Sequence, residues 1–349
     1  MRLHYIFILQ CLPLLGNTFD WVVIGAGPAG ITVVAVLREQ LPLASILWID
    51  DTFNVGRMGT FYREVPGNLQ TKRLITYIKG CSLFEQCKSC AKEKLFKYNP
   101  EAFHPLHIIV DPLCDITYFL KKKVIWHQGT VTSVTDKKEY WLINMRKKKF
   151  AAKKVILAIG AHPKKLHYPL QEISLDEALD KKKLSKKLVP TDRVAVFGGM
   201  HSAFLVLKYL TELGVAKIVN FYTSPYFFGK PGTAGLEGVT THWVKTVLEK
   251  NPPPQLIRVK NTTKNINELL PSCNKVIYAI GYERNQLKIN DSMQLSFDEK
   301  TGKIDRCLYG IGIAFPQTAL LEEGKKVEIN GLNSYLEYAK RNIPYWNKE

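Results

Sequence analysis

Residues 19–41 read FDWVVIGAGPAGITVVAVLREQL. The apolar run from Trp21 to Ile24 predicts a short buried strand, the glycines after it a turn, and the stretch Ala29 to Leu41 a helix. Gly25 permits the tight turn, Gly27 lets a pyrophosphate approach the backbone, and Gly30 lets the helix pack close to the strand. A helix that starts here aims unpaired N–H groups and its positive dipole end at an anion. The next stretch, SILWIDD, is an apolar strand that ends in acid. Asp50 stands where a carboxylate accepts hydrogen bonds from a ribose, with a turn or helix cap as its plain alternative. Strand, GxGxxG, helix, strand and acid in this order predict a dinucleotide site.

Three later segments extend the pattern. KKVILAIGAHPKKL (153–166) is an apolar strand running into Gly160 and a proline; after the β-rich stretch before it, this reads as the last strand of a meander returning to the sheet. RVAVFGGMHSAFLVLKYLTELG (193–214) is a second strand, glycine turn and helix. Gly198 and Gly199 make that turn, Ser202 and Ala203 open the helix, and Gly214 ends it. A second nucleotide site follows, although Met200 stands where a glycine would ease phosphate approach, so a packing turn without ligand is the alternative. SCNKVIYAIGYERN (272–285) repeats the Ala-Ile-Gly ending of residues 158–160.

The chain's 349 residues leave room for two domains. Its formal charge of +18 comes largely from lysine runs such as 121–123, 147–149 and 181–183. Such runs are usually solvated, and the positive field favours anionic ligands. No nucleic-acid motif accompanies them, and no nucleic-acid partner is expected. Seven scattered cysteines suit a reducing compartment rather than a disulfide scaffold. At the N-terminus, Tyr5 to Leu15 is largely apolar, like the core of a signal peptide, but it lacks an Ala-x-Ala type cleavage site and is too short to span a bilayer. A buried extension or an over-extended start is the preferred reading of residues 1–16. The expected location is the cytoplasm, with membrane association left open through this segment.

The motifs GAGPAG, AIGAHP, GGMHSA, AIGY and LYGIGIAFP (308–316) occur in an order that resembles the pyridine nucleotide-disulfide oxidoreductase superfamily, whose members are flavoproteins with two dinucleotide sites. NKVIYAIGY and the glycine-aromatic loop GRMGTFYREVPGNLQTKRL (56–74) look most like segments of flavin-containing and N-hydroxylating monooxygenases. The resemblance implies an α/β chain with two Rossmann-like domains of three-layer ββα type, FAD in the first and NADPH or NADH in the second. The FAD domain is expected at 17–165 plus 272–349, with the NAD(P) domain, 166–271, inserted between. It implies that Gly25, Gly27, Pro28, Ala29 and Gly30 hold the FAD pyrophosphate, and Asp50, with Asp51 beside it, the ribose. Arg57, Gly59 and Thr60 would lie along the isoalloxazine, and Val131 would present backbone to the adenine. Ala158, Gly160, Gly281 and Gly312 complete the expected cofactor contacts, and Gly198, Gly199, Ser202 and Ala203 those of the nicotinamide cofactor. The implied reaction moves hydride from NAD(P)H to FAD and then to oxygen or a small acceptor, with a small molecule as substrate. A disulfide or quinone reductase and a non-catalytic flavin module are the alternatives. Asn68, Gln70 and Thr71 are the polar candidates beside the flavin, Lys72 or Arg73 candidates for an anionic group, and His162 and His201 flank the glycine turns. Two departures stand out. Ile313 follows the last glycine where disulfide reductases carry an acid, and Tyr222, Thr223 and Ser224 follow the second nucleotide strand where an arginine often pairs with a 2′-phosphate, leaving Lys230 the nearest cation.

EQCKSCAKE (85–93) holds a Cys-x-x-Cys pair. A flavin-linked dithiol must reach the isoalloxazine, and in the resembled family such cysteines lie just after the first acidic strand or before the second glycine turn. Neither region contains one here. Cys87 and Cys90 sit in a Lys-rich stretch that predicts a helical insertion, and structural thiols are preferred over redox or zinc roles. In the C-terminal segment, Leu332, Tyr335, Leu336 and Ala339 form an intramolecular packing stripe.

Overall fold

The structure, a computed structural model, describes residues 18–229, 235–293, 295–320 and 326–349. Residues 1–16 and Lys230 lie outside the described residues. The first unit runs β1 (Phe19–Ile24), α1 (Pro28–Gln40), β2 (Ile46–Asp50), α2 (Gly56–Phe61), β3 (Pro66–Gln70), α3 (Thr71–Lys79), α4 (Ser82–Gln86), α5 (Cys90–Lys97), β4 (Phe103–Pro105), α6 (His107–Lys121) and β5 (Ile125–Gln128). An antiparallel meander follows, β6 (Val131–Asp136), β7 (Trp141–Met145) and β8 (Lys149–Leu157), as the sequence led us to expect. Its last strand joins β1 in parallel, so that β8-β1-β2-β5 form the parallel part of the sheet.

Side-chain alternation along β1 explains the layers. Trp21 and Val23 face the helices, packing with α1, α6 and the C-terminal helix, whereas Val22 and Ile24 face the meander residues Trp141, Ile143 and Phe150. Both faces of the strand are covered, which is why its sequence is almost continuously apolar.

The chain leaves this unit through β9 (Ala161–Pro163) and enters a second one: β10 (Gln171–Glu172), α7 (Leu175–Ala178), α8 (Lys181–Ser185), β11 (Arg193–Phe197), α9 (His201–Glu212), β12 (Lys217–Tyr222), α10 (Gly238–Trp243), β13 (Leu256–Lys260), α11 (Thr263–Leu269) and β14 (Lys275–Tyr278). Its sheet has the order β10-β14-β11-β12-β13, all parallel. Here the expected boundary at residue 272 is corrected. β14 pairs with β11 just as β8 pairs with β1, so the second Ala-Ile-Gly strand closes the second sheet rather than returning to the first. The return comes at Gly281 (φ +92°), where β15 (Tyr282–Arg284) pairs antiparallel with β9 and forms a two-stranded link between the units. β16 (Lys288–Ile289), β17 (Lys303–Asp305) and β18 (Leu308–Gly310) then rejoin the first sheet.

The last helix, α12 (Leu332–Lys348), lies against α1. Leu332, Leu336, Ala339, Ile343 and Trp346 are buried, which bears out the packing stripe; the large ones contribute roughly 1.5–3 kcal/mol each.

The cysteine pair does not sit in one helix. The chain breaks at Cys87, which ends α4, and Cys90 begins α5. The cause is Lys92, whose buried ammonium donates to the carbonyl of Phe84 at 3.1 Å and to those of Glu85 and Cys87, saturating the end of α4. Cys87 is buried and Cys90 exposed. Among the described residues no helix is long and apolar enough to cross a membrane.

Candidate cofactor site and the interdomain cleft

The two glycine turns have one construction. Gly25 has φ +112°, and a Cβ there would lie 2.2 Å from the carbonyl oxygen of Ala158; Gly198 has φ +132°, and a Cβ there would lie 2.2 Å from that of Ala279. In each case the neighbouring Ala-Ile-Gly strand presses on the turn, and only glycine fits. The strand beside each turn holds it as well. Trp48 Nε1 donates to the Gly25 carbonyl at 2.9 Å, and Asn220 Nδ2 to the Gly198 carbonyl at 2.8 Å. Behind the turns, α1 and α9 start with no side-chain cap and no acid in the first turn. Their first N–H groups are therefore available to an anion, whereas α5, α7 and α11 close theirs with Ser89, Ser174 and Thr262.

A cavity of about 920 Å³ opens at the first turn. Gly25, Gly27, Pro28, Ala29, Asp50, Asp51, Arg57, Thr60, Asn68, Val131, Ala158, Gly160 and Gly312 all line it, so most sequence-derived candidates converge on one space. A Cβ at Gly27 would meet nothing within 4 Å, leaving the backbone there open to a bulky anion. A large, mostly apolar cavity with an uncapped helix end and a carboxylate fits FAD. Asp50 serves the turn as well as the cavity. Its Oδ2 accepts from the N–H of Ala26 at 2.6 Å, and its Oδ1 from those of Thr52 at 2.9 Å and Phe53 at 2.6 Å. Asp50 therefore makes the contacts of a turn cap and also lines the cavity. Burial and the Asp50 charge push Asp51 above the ordinary carboxylate range.

Several candidates fall elsewhere. Gln70 and Thr71 do not line the cavity: Gln70 donates to Glu101 at 2.9 Å, and the buried Thr71 hydroxyl donates to the Ala102 carbonyl at 3.1 Å. Both point toward the 98–102 loop, at the junction where β3 gives way to α3. Lys72 pairs with Glu101 at 2.7 Å, and neither it nor Arg73 reaches the cavity. Gly30 and Gly59 are buried behind its wall, and Gly281 belongs to the crossover. His162 hydrogen-bonds Asn285 at 2.9 Å and lies 3.0 Å from Glu283, within the link between units.

Other groups, on the cavity wall or bonded to it from the second unit, emerge only from tertiary contact. Asp176, in α7 of the second unit, pairs with Arg57 and accepts from the Tyr62 hydroxyl, which Tyr282 also contacts at 3.2 Å. Burial works against the Arg57 charge, but the bonds with Asp176 and Tyr62 outweigh it and raise its pKa; burial, then the Tyr282 phenol and the bond to Asp176, raise that of Tyr62. A second crossing involves His201, whose Nε2 lies 2.6 Å from the Gly235 carbonyl and whose Nδ1 lies 3.0 Å from the Thr240 hydroxyl. The segment so held packs on β3 and β4, since a Cβ at Gly238 would lie 3.1 Å from the Phe103 ring and 3.3 Å from the Gly67 carbonyl. Burial lowers the pKa of His201. His104, in β4, lines the cavity with its Nε2 buried and unpaired. Asp176 stands far from the glycine motifs in the chain, and no spacing rule could have found it.

Among the described residues no cysteine lines the cavity, and no cluster of His, Cys, Asp or Glu is arranged to hold a metal. Burial raises the pKa of Cys87 and pushes that of Cys81 up to about 12, which keeps both thiols protonated.

Two Rossmann-like units, each with a glycine turn at an uncapped helix start, have the build of a flavoprotein with two dinucleotide sites. The chain belongs to the pyridine nucleotide-disulphide oxidoreductase family, whose model matches residues 19–331. It is an FAD-dependent oxidoreductase that uses NAD(P)H. A monooxygenase of Paecilomyces divaricatus, AgnR1, is 26% identical over 380 residues, covering 93% of this chain and 97% of that protein. Among solved structures, the ornithine N-hydroxylase of Kutzneria sp. 744 superposes with a TM-score of 0.65 at 13% identity, covering 95% of this chain and 99% of that one. The bacillithiol disulfide reductase of Staphylococcus aureus gives 0.61 at 12% identity over the same shares. At these identities the two structures speak for the fold alone.

Proposed function

We propose that this protein is an NAD(P)H-dependent flavin monooxygenase acting on a small organic molecule. The observation that carries this reading is the thiol-free wall of the first cavity among the described residues. A disulfide reductase needs two sulfurs at the isoalloxazine. The likeness to a fungal monooxygenase across nearly the whole chain supports it.

Bound FAD would supply a two-electron carrier able to take hydride from NAD(P)H and pass electrons to oxygen. In this reading Gly25 to Ala29 and the open end of α1 hold the pyrophosphate, Asp50 accepts from the ribose, and Gly129 to Val131 enclose the adenine. Gly198, Gly199, Ser202 and Ala203 hold the pyrophosphate of the nicotinamide cofactor at the open end of α9. Arg57 and Tyr62, fastened to Asp176, keep the two units closed and shield the site from water. Of the three polar candidates Asn68, Gln70 and Thr71, Asn68 alone lines the cavity and is the one kept.

The test is oxygen uptake by purified yellow protein supplied with NADPH or NADH. Oxygen should be consumed in step with nicotinamide oxidation, and a true substrate should divert the product from hydrogen peroxide. If reduced flavin instead passes electrons to a disulfide or quinone at a rate indifferent to oxygen, the monooxygenase reading fails.

A further inference from the structure

The two units repeat each other closely enough to be compared residue by residue, and the comparison bears on which nicotinamide the second site takes. In the first unit Ile24 pairs with Ile49, and the strand ends one residue later at Asp50; in the second, Phe197 pairs with Phe221, and the strand ends one residue later at Tyr222. Tyr222 thus occupies the place of Asp50. The equivalence is confirmed one step back, where Trp48 and Asn220 each bond the carbonyl of the turn glycine. On the third strand, Trp48 and Asp50 pair with Trp126 and Gln128, whereas Asn220 and Tyr222 pair with Arg258 and Lys260.

The electrostatics of the two corners are therefore opposite. A carboxylate at the end of the second strand accepts from a free ribose 2′-hydroxyl and repels a phosphate there. The first corner has Asp50. The second has a neutral phenol and two cations that share one face of β13, because residues two apart in a strand point the same way. Among the described residues no carboxylate pairs with Arg258 or Lys260.

Arg258 is set for this position. Its Nε donates to Asn220 Oδ1 at 2.9 Å, and its guanidinium lies 4.9 Å from the ring centroids of Phe204 and Tyr222 and 5.3 Å from that of Tyr226. Its Nη2 is buried without a partner. The corner also adjoins the phosphate-side turn, since a Cβ at Gly199 would lie 3.1 Å from Tyr222 Cβ and 3.3 Å from the Ser224 carbonyl. A stacked guanidinium braced at Nε is restricted in its rotamers and presents its remaining N–H groups in a fixed fork.

We propose that Arg258, with Lys260 beside it, binds the 2′-phosphate of the nicotinamide cofactor and makes the second site selective for NADP(H) over NAD(H). The cation usually sought just after the second strand is here supplied from the neighbouring strand. The proposal rests on the second unit holding a nicotinamide nucleotide.

The test measures binding of two fragments, 2′,5′-ADP and 5′-AMP, to the full-length protein by calorimetry. Neither fragment requires turnover. Charge-assisted bonds to one phosphate should make 2′,5′-ADP bind about 10- to 100-fold tighter at low salt. The preference should shrink as salt rises. Arg258→Met should abolish most of it while 5′-AMP affinity stays within about twofold, since the bonds removed are those to the extra phosphate. Lys260→Met, at the exposed end of β13, should lower it in part without disturbing the rings around Arg258. Tyr222→Asp should reverse it. Equal binding of both fragments by the unaltered protein overturns the proposal, as does a preference that survives in both lysine and arginine variants. Binding of neither fragment to a yellow protein overturns it too, and leaves the flavin site standing. A colourless protein that still prefers 2′,5′-ADP sinks the flavin reading and leaves this one.

Discussion

Asp50 shows how much one side chain carries at a nucleotide corner. It ends β2, accepts three backbone N–H groups from the glycine turn and the following loop, and lines the cavity. Removing it strands those donors and, in the proposed reading, the ribose hydroxyl as well. Asp50→Ala should therefore weaken flavin binding by about 1–3 kcal/mol, a loss of roughly one to two orders of magnitude. The ratio of visible to ultraviolet absorbance after gel filtration reads this directly; full flavin occupancy in the variant would contradict it. The contrast with Gln70 and Thr71 is instructive. Their residue types suit a polar site, but at the junction of β3 and α3 both side chains bond the 101–102 stretch instead.

At the level of elements, the segment containing Cys87 and Cys90 is governed by Lys92. A buried ammonium with three carbonyl partners ends one helix, and Ser89 caps the next by accepting from Lys92 N–H at 3.0 Å. Lys92→Met removes the donor and leaves those carbonyls buried without it. The expected cost is about 1–3 kcal/mol, visible as a lower melting temperature. Cys87 should then react with a thiol reagent much faster than in the unaltered protein, where only Cys90 of the pair is exposed. Unchanged labelling of Cys87 would show that Lys92 does not hold the joint. The periodicity of LFEQCKSCAKEKLF was compatible with one helix, and a lysine folding back onto carbonyls has no signature in a sequence pattern.

For the whole molecule, the decisive contact is Asp176 with Arg57 and Tyr62, which joins the units at the cavity. Both members of the ion pair are largely shielded, with side chains 29% and 19% exposed, so its loss should be felt. Asp176→Asn keeps the size but removes the charge. Flavin content should remain, since α1 and β2 are untouched, and the rate of flavin reduction by NADPH in a stopped-flow instrument should fall by about tenfold or more, as the hydride donor is no longer held in register. A variant that reduces its flavin at the original rate would show that closure does not depend on this pair. The whole-molecule view also corrects the boundary: β14 completes the second sheet, and the chain crosses back at Gly281.

From sequence alone came the two βαβ starts, their glycine turns, Asp50, the meander and the C-terminal packing stripe. These are local: a period, a turn geometry and a strand end are written in contiguous residues. Only the tertiary structure decided that Asp176 meets Arg57, that β14 lies beside β11, and that Arg258 stands next to a strand end whose own sequence carries no cation. Each of these pairs residues far apart in the chain, and such a pairing is selected by the burial of whole sheet faces rather than by any stretch of neighbours.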